Sequence, residues 1–198
     1  MAPFFIPAKP PAWMARFHNQ LEINYDCLAG LESYGQAVVP ITDIKPTPLK
    51  VIPANIPQEL KECPQWVCWR YEWNGKKWTK PPYHPKGFKA SKTNPEHYSD
   101  FGKVLAVYEK GGFDGIGFVL TAKDLFVAID IDHCLNGSVL TDEAREIIET
   151  MDSYTEISPS GSGIRIFVKG TIPRNIKKRI EIYIHDSYVT VTGQRLQS

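Results

Sequence analysis

Apolar and polar residues alternate in several short segments of the chain, which is the pattern of half-buried β-strands. The alternation predicts strands at residues 154–158, 164–168, 180–184 and 188–192. Two further apolar segments, 115–120 and 126–132, are separated by a short polar turn. Because short connections favour antiparallel pairing, we expect these two segments to lie side by side in one sheet.

Helical spacing and turn residues complete the pattern. We expect one helix after Ser99 that ends at Gly111-Gly112, and a second helix that Thr141 caps. Asn74-Gly75 lies between two aromatic-rich segments and predicts a β-hairpin. This order of elements predicts an α+β fold, with a mixed, largely antiparallel sheet and helices packed on one face.

Residues 1–55 differ from the rest of the chain. They contain eight of the 16 prolines and no long periodic pattern. We interpret them as a proline-rich N-terminal extension and residues 56–198 as the folded domain. The sequence leaves open whether that domain is truncated at its C-terminus.

Composition narrows the class of protein. The net charge of +1 does not by itself indicate a nucleic-acid-binding protein, although lysines concentrate in residues 76–92. No apolar run is long enough to span a bilayer, and the proline-broken N-terminus does not resemble a signal peptide. The four cysteines form no CxxC pair. We therefore expect a cytoplasmic protein with reduced thiols and no membrane partner.

Strand alternation also groups the charged residues. Asp130 and Asp132 share one face of their strand, and Arg165 and Glu181 lie on the polar faces of theirs. Carboxylates are disfavoured within strands and repel one another, a cost that bound divalent cations would remove. A solvated outer face of a plain antiparallel sheet explains the same alternation, so the pattern alone leaves both interpretations open.

The Asp130-Ile-Asp132 motif is the strongest candidate for catalysis. Its two carboxylates lie about 7 Å apart along the strand and can converge on a pair of divalent cations. Mg²⁺ and Mn²⁺ prefer such oxygen ligands. Glu181 would supply a third ligand from a neighbouring strand. A lone DxD is weak evidence, and Glu181 alone is an ordinary strand residue.

A second candidate is the loop between residues 158 and 165, which is rich in serine and glycine. Such a loop can present N–H groups and hydroxyls to a triphosphate, although a flexible hairpin turn explains it as well. The candidate nucleotide-binding residues are Ser158, Ser160, Gly161, Ser162, Gly163, Arg165 and Thr192. Candidate contacts to nucleic acid or phosphate are Lys80, Lys92 and His133, each of which has an equally ordinary structural interpretation.

The motifs taken in order resemble a known family. Asp130-Ile-Asp132-His, the loop 158–165, Glu181-Ile-Tyr and Thr190-Val-Thr-Gly193 are similar to the archaeo-eukaryotic primase superfamily. Within it, the chain resembles the bifunctional primase–polymerase domains of phages, plasmids and prophages, over about residues 56–195. The ordered combination is far more specific than any single motif.

The resemblance implies an RRM-like catalytic core. It implies template-directed joining of dNTPs or NTPs on a DNA template and primer, with Mg²⁺ or Mn²⁺ bound by Asp130, Asp132 and Glu181. A helicase or another replication protein would be a partner, in a bacterial or archaeal cell. Members of the family commonly have histidine where this chain has Arg165, which argues against proton transfer by this residue but not against phosphate binding.

Two alternatives remain open at this point. One is a noncatalytic nucleic-acid-binding module, or an inactive fragment of a replication protein, with the same fold. The other is a metal-dependent phosphodiesterase that uses the same carboxylates. The three clustered carboxylates favour an enzyme, because nucleic-acid binding alone does not require them.

Overall fold

The structure is a computed structural model that describes residues 44–170, 175–177 and 180–196. The α-helices of this part are α1 Gln58–Lys61, α2 Phe101–Glu109 and α3 Asp142–Met151. The strands are β1 Trp66–Trp69, β2 Glu72–Trp73, β3 Trp78–Thr79, β4 Pro82–Tyr83, β5 Gly115–Leu120, β6 Phe126–Ile131, β7 Leu135–Asn136, β8 Val139–Leu140, β9 Tyr154–Ile157, β10 Ile164–Lys169, β11 Ile176–Lys177, β12 Ile180–Tyr183 and β13 Ser187–Val191.

The described strands form two main sheets where the sequence pattern predicted one. The four-stranded sheet has the order β13-β5-β1-β4, and the five-stranded sheet has the order β11-β12-β6-β10-β9. All neighbouring strands in these sheets run antiparallel. The predicted α+β class and the antiparallel pairing are therefore confirmed. An RRM-like core stays a prediction.

The predicted pairing of β5 with β6 is wrong, because the two strands belong to different sheets. β5 lies between β1 and β13, and β6 lies between β12 and β10, so neither has a free edge for the other. The turn between them is built around Asp124, whose carboxylate accepts hydrogen bonds from the Thr121 hydroxyl and the Phe126 N–H. This turn carries the chain from one sheet to the other.

The two longer helices, α2 and α3, pack on different sheets, which corrects the expectation of helices on one face. α3 covers one face of the five-stranded sheet, where Ile147 and Met151 pack among the isoleucines of β6, β10 and β12. α2 packs against the four-stranded sheet, and the rings of Phe101 and Trp66 lie 4.8 Å apart. The largest apolar cluster joins both sheets through Phe118 and Phe167.

The helix caps and the hairpin turn agree with the sequence predictions, except that one cap lies one residue later in the chain. The Thr141 hydroxyl accepts a hydrogen bond from Ala144 N at 3.3 Å, as predicted. The cap of α2 is Asp100, not Ser99, because the backbone of Ser99 bonds to Trp66 in β1. The hairpin at Asn74-Gly75 is confirmed by the pairing of β2 with β3.

The segment before α1 packs on the domain. Leu49 N donates to the Pro159 carbonyl at 3.0 Å and Ile52 N donates to the Thr192 carbonyl at 2.7 Å. Ile56 is buried in the core. Residues 1–43, most of the predicted extension, lie outside the described residues, and its boundary at residue 55 stays a prediction.

The end of the described chain connects the two main sheets. After β13, residues 193–196 run beside β9, where Ile157 N donates to the Gln194 carbonyl at 2.8 Å and Leu196 N donates to the Thr155 carbonyl at 3.0 Å. In the residues that the structure describes, we find no helix long and apolar enough to cross a membrane.

Candidate active site

A row of four charged side chains crosses the five-stranded sheet. Asp130, the penultimate residue of β6, lies directly opposite Arg165 in β10 and opposite Glu181 in β12. Glu156 in β9 lies opposite Arg165 on its other side. We call Glu156, Arg165, Asp130 and Glu181 the charged row. The register thus brings Asp130 and Glu181 together, and with them Arg165.

Arg165 is the buried centre of the row. It is 4% exposed, and its Nη2 donates to Asp130 Oδ2 at 2.8 Å. Its Nη1 donates to Thr190 Oγ1 at 2.5 Å and to the Thr190 carbonyl. Burial acts to lower the pKa of Arg165, but Asp130 and Glu156 outweigh that effect and raise it. The guanidinium therefore stays charged and links the five-stranded sheet to β13.

Glu156 is a functional candidate that the sequence pattern did not single out. It is fully buried, and its carboxylate accepts hydrogen bonds from Tyr154 Oη, Thr192 N and Gly193 N at 2.7, 3.0 and 2.8 Å. Burial raises the pKa of Glu156 against the opposing effects of Arg165 and these donors. The available signal was a glutamate in the middle of a predicted strand, on the same face as Tyr154.

Asp130 differs from Glu156 in having one oxygen without a partner. Oδ2 is bound by Arg165, whereas Oδ1 is buried without a hydrogen bond from any described residue. Asp132 follows β6 and is exposed. His133, also exposed, has a positive φ of 53° and turns the chain away from the strand. The end of β6 thus presents one fixed and one free carboxylate.

Glu181 is the last residue of the charged row and lies on the side of Asp130 away from Arg165. The Tyr183 hydroxyl, two residues further along β12, donates to Glu181 Oε2. Burial and the neighbouring Glu181 carboxylate raise the pKa of Tyr183, so its hydroxyl remains a donor at neutral pH. Glu181 is partly exposed, and it therefore lies at the accessible side of the row.

The serine–glycine loop packs against the end of β6. A Cβ added to Gly163 would lie 2.7 Å from the Ile131 carbonyl oxygen and 3.3 Å from Asp132 Cα, so only glycine allows this approach. The hydroxyls of Ser158, Ser160 and Ser162 form a chain with 3.0 Å between neighbouring oxygens. The predicted loop therefore lies beside the DxD motif.

The remaining candidates fall in three places. Lys80 interacts electrostatically with Asp130 and Asp132, and burial together with the nearby Arg165 lowers its pKa. Thr192 is 1% exposed, and its hydroxyl donates to the Ile157 carbonyl at 2.6 Å, so it joins strands and does not face an open site. Lys92 lines a separate groove.

The residues fit a hard divalent cation in their chemistry. The end of β6 combines two carboxylates with an unpartnered buried oxygen, and a third carboxylate lies on the neighbouring strand. Among the described residues, however, no three His, Cys, Asp or Glu side chains are gathered closely enough to hold a metal ion. The hydrogen bonds to Asp130 and Glu181 hold these carboxylates in their present rotamers.

Comparison with known proteins agrees with the motifs. No family model matches the chain. Over 146 residues the chain is 40% identical to the DNA primase-polymerase of Nitratiruptor phage NrS-1. The match covers 68% of this chain and 20% of the phage protein, so it spans about a fifth of that relative. The similarity confirms the predicted resemblance to primase–polymerase domains.

Proposed function

We propose that this domain is a template-directed nucleotidyltransferase, a DNA primase or polymerase that joins dNTPs or NTPs on a DNA template. Two observations support the proposal. The relative is named a DNA primase-polymerase, and the register places Asp130 beside Glu181 at the strand end where the serine–glycine loop packs. The second observation is the basis for assigning roles to individual residues.

Asp130, Asp132 and Glu181 would hold two Mg²⁺ or Mn²⁺ ions. At such a site, bound cations activate an attacking hydroxyl and neutralise charge on the leaving pyrophosphate. Arg165 fixes Asp130 Oδ2 and so leaves Oδ1 as the oxygen free to bind. Arg165 is thus a positioning residue in this proposal, because both Nη atoms of its buried guanidinium already donate hydrogen bonds within the protein.

The triphosphate would lie over the serine–glycine loop. Ser160 is exposed, and Gly161 has a φ of +77° with open space where a Cβ would be. Successive N–H groups and hydroxyls of such a turn bind anionic oxygens. Lys80, which interacts electrostatically with both aspartates, supplies positive charge that a triphosphate needs.

The proposed fold, biological role and partners rest on the resemblance to the primase–polymerase family. We propose an RRM-like core and a role in phage, plasmid or prophage replication, in the cytoplasm of a bacterial or archaeal host. A primer and a helicase or other replication protein would be partners.

Primer extension tests the proposal. The purified chain receives a primed DNA template with dNTPs or NTPs and either Mg²⁺ or Mn²⁺, beside an Asp130→Asn/Asp132→Asn variant. Asp142→Asn/Asp152→Asn, which changes two exposed aspartates flanking α3, is the matched control. We expect extension by the parent and the control and none by the variant. Equal extension by the variant, or no extension by the parent with either metal, contradicts the proposal.

A further inference from the structure

A groove of about 780 Å³ lies outside the candidate active site. Lysines from separate segments line it: Lys86 and Lys92 from the connection after β4, Lys103 from α2, and Lys123 from the turn after β5. Each is exposed. Segments distant in sequence thus present positive charge to one concave surface.

Most of this charge is not neutralised by the protein. Lys103 pairs with Asp100 at 2.6 Å, whereas Lys86, Lys92 and Lys123 form no ion pair with any described residue. Asp186 also lines the groove and lies 3.0 Å from His185 Nδ1. Four lysines against the two carboxylates of Asp100 and Asp186 give the groove a net positive charge.

The backbone that carries these lysines is held in place. Gly87 N donates to the His84 carbonyl at 2.8 Å, which closes the turn around Lys86. The Lys92 carbonyl accepts from Tyr98 Oη at 2.6 Å. Lys123 N donates to Thr121 Oγ1 at 3.3 Å. A preorganised charged surface loses less conformational entropy when a ligand binds.

A stacked aromatic pair lies close to Lys86 in sequence, and one of its members, His84, lines the groove. The rings of His84 and Phe88 are stacked 4.7 Å apart, and Phe88 is 44% exposed. Burial and the nearby Lys86 lower the pKa of His84, which keeps the stacked ring neutral at neutral pH. Lysines with an accessible ring are the combination that binds single-stranded nucleic acid, since the bases stack and the phosphates pair.

The groove is also close to the candidate active site. Tyr98, which lines it, packs in one cluster with Val67, Val119 and Tyr188. The Tyr188 hydroxyl donates to the Lys80 carbonyl at 2.5 Å. Tyr98 and Tyr188 thus connect the groove to the segment that carries Lys80.

We infer that this groove binds a single-stranded nucleic acid through Lys86, Lys92 and Lys123, as the track for the template strand. The identity of the strand as template rests on the proposed function, but the binding itself does not. Duplex DNA is a poorer fit, because an exposed ring stacks on a base only where that base is unpaired.

Fluorescence anisotropy with labelled oligothymidylate at several salt concentrations tests the inference. Lys86→Ala/Lys92→Ala/Lys123→Ala is compared with Lys76→Ala/Lys77→Ala/Lys110→Ala, which removes the same charge from exposed lysines outside the groove. Three lost phosphate contacts should reduce the slope of log K against log salt by about 2 and weaken binding at least about tenfold. The control should bind as the parent does, and a labelled duplex should bind more weakly.

The outcomes separate this inference from the proposed function. Circular dichroism establishes that the triple variant is folded. Equal loss in the groove variant and its control, or equally tight binding of the duplex, overturns the inference whatever the extension assay gives. Loss of binding confined to the groove variant supports it even where extension fails.

Discussion

The charged row has a Glu156 end and, on the other side of Arg165, an Asp130 end that includes Glu181. The two ends satisfy their hydrogen-bonding groups to different degrees. At the Glu156 end, both carboxylate oxygens accept hydrogen bonds and the side chain is fully buried. At the Asp130 end, one oxygen has no partner among the described residues, and the neighbouring Asp132 is exposed. Buried charges are retained when their partners satisfy them. An unsatisfied carboxylate beside a satisfied one therefore marks where a ligand is expected.

Replacing Arg165 should reduce the free energy of unfolding most, because its guanidinium interacts with both Asp130 and Glu156. Arg165→Met leaves the largely buried Asp130 and the fully buried Glu156 without their shared cation. Removing one partner of a buried ion pair costs about 3–5 kcal/mol. Urea unfolding measures the loss. Arg165→Lys keeps the charge and should recover part of it. A loss below about 1 kcal/mol would show that the row is not a coupled unit.

Glu156→Gln should have the next largest effect. The amide presents an N–H₂ group toward at least one of the three donors, and an unsatisfied buried donor costs about 1–3 kcal/mol. Because the pKa of Glu156 is raised, the folded parent binds more protons than the unfolded chain above pH 4.5. The parent therefore loses this contribution as pH rises, and the cost of the substitution should shrink from acidic to neutral pH. A cost that grows with pH contradicts the raised pKa.

Gly163→Ala should have a smaller effect on stability and a clear effect at the Asp130 end. The new Cβ would lie 2.7 Å from the Ile131 carbonyl oxygen, so the loop must move away from the DxD strand, at about 1–2 kcal/mol. Gly111→Ala, after α2, is the control, since its Cβ also meets open space and only its positive φ is strained. We expect nucleotide affinity to fall more for Gly163→Ala than for the control. Equal losses would show that the position of the loop beside the DxD strand does not determine nucleotide affinity.

The sequence predicted the Asp130 end better than the Glu156 end. Strand alternation placed Asp130, Arg165 and Glu181 on polar faces, and the observed register makes them neighbours. It did not single out Glu156, because two of the three donors to that carboxylate are backbone N–H groups of residues 192 and 193. Side-chain patterns carry no information about such long-range backbone contacts.

The division into two sheets was also beyond the sequence pattern. A short polar turn usually joins hairpin strands, but the turn at Asp124 follows β5, whose edges are already paired with β1 and β13. Which strand occupies an edge depends on contacts between distant residues such as Thr190 and Gly117. Local signals, including the Thr141 cap and the Asn74-Gly75 hairpin, were predicted correctly because they depend on neighbouring residues only.

Direct measurement of Mn²⁺ binding tests the central claim, that the unsatisfied end of the row is a metal site. Electron paramagnetic resonance of free Mn²⁺ during titration gives the affinity of the parent, of Asp130→Asn/Asp132→Asn and of Asp142→Asn/Asp152→Asn. We predict that the first variant binds Mn²⁺ more than about tenfold more weakly, since even outer-shell changes cost roughly 10- to 100-fold, and that the second binds as the parent does. Equal affinity in all three proteins would contradict the account.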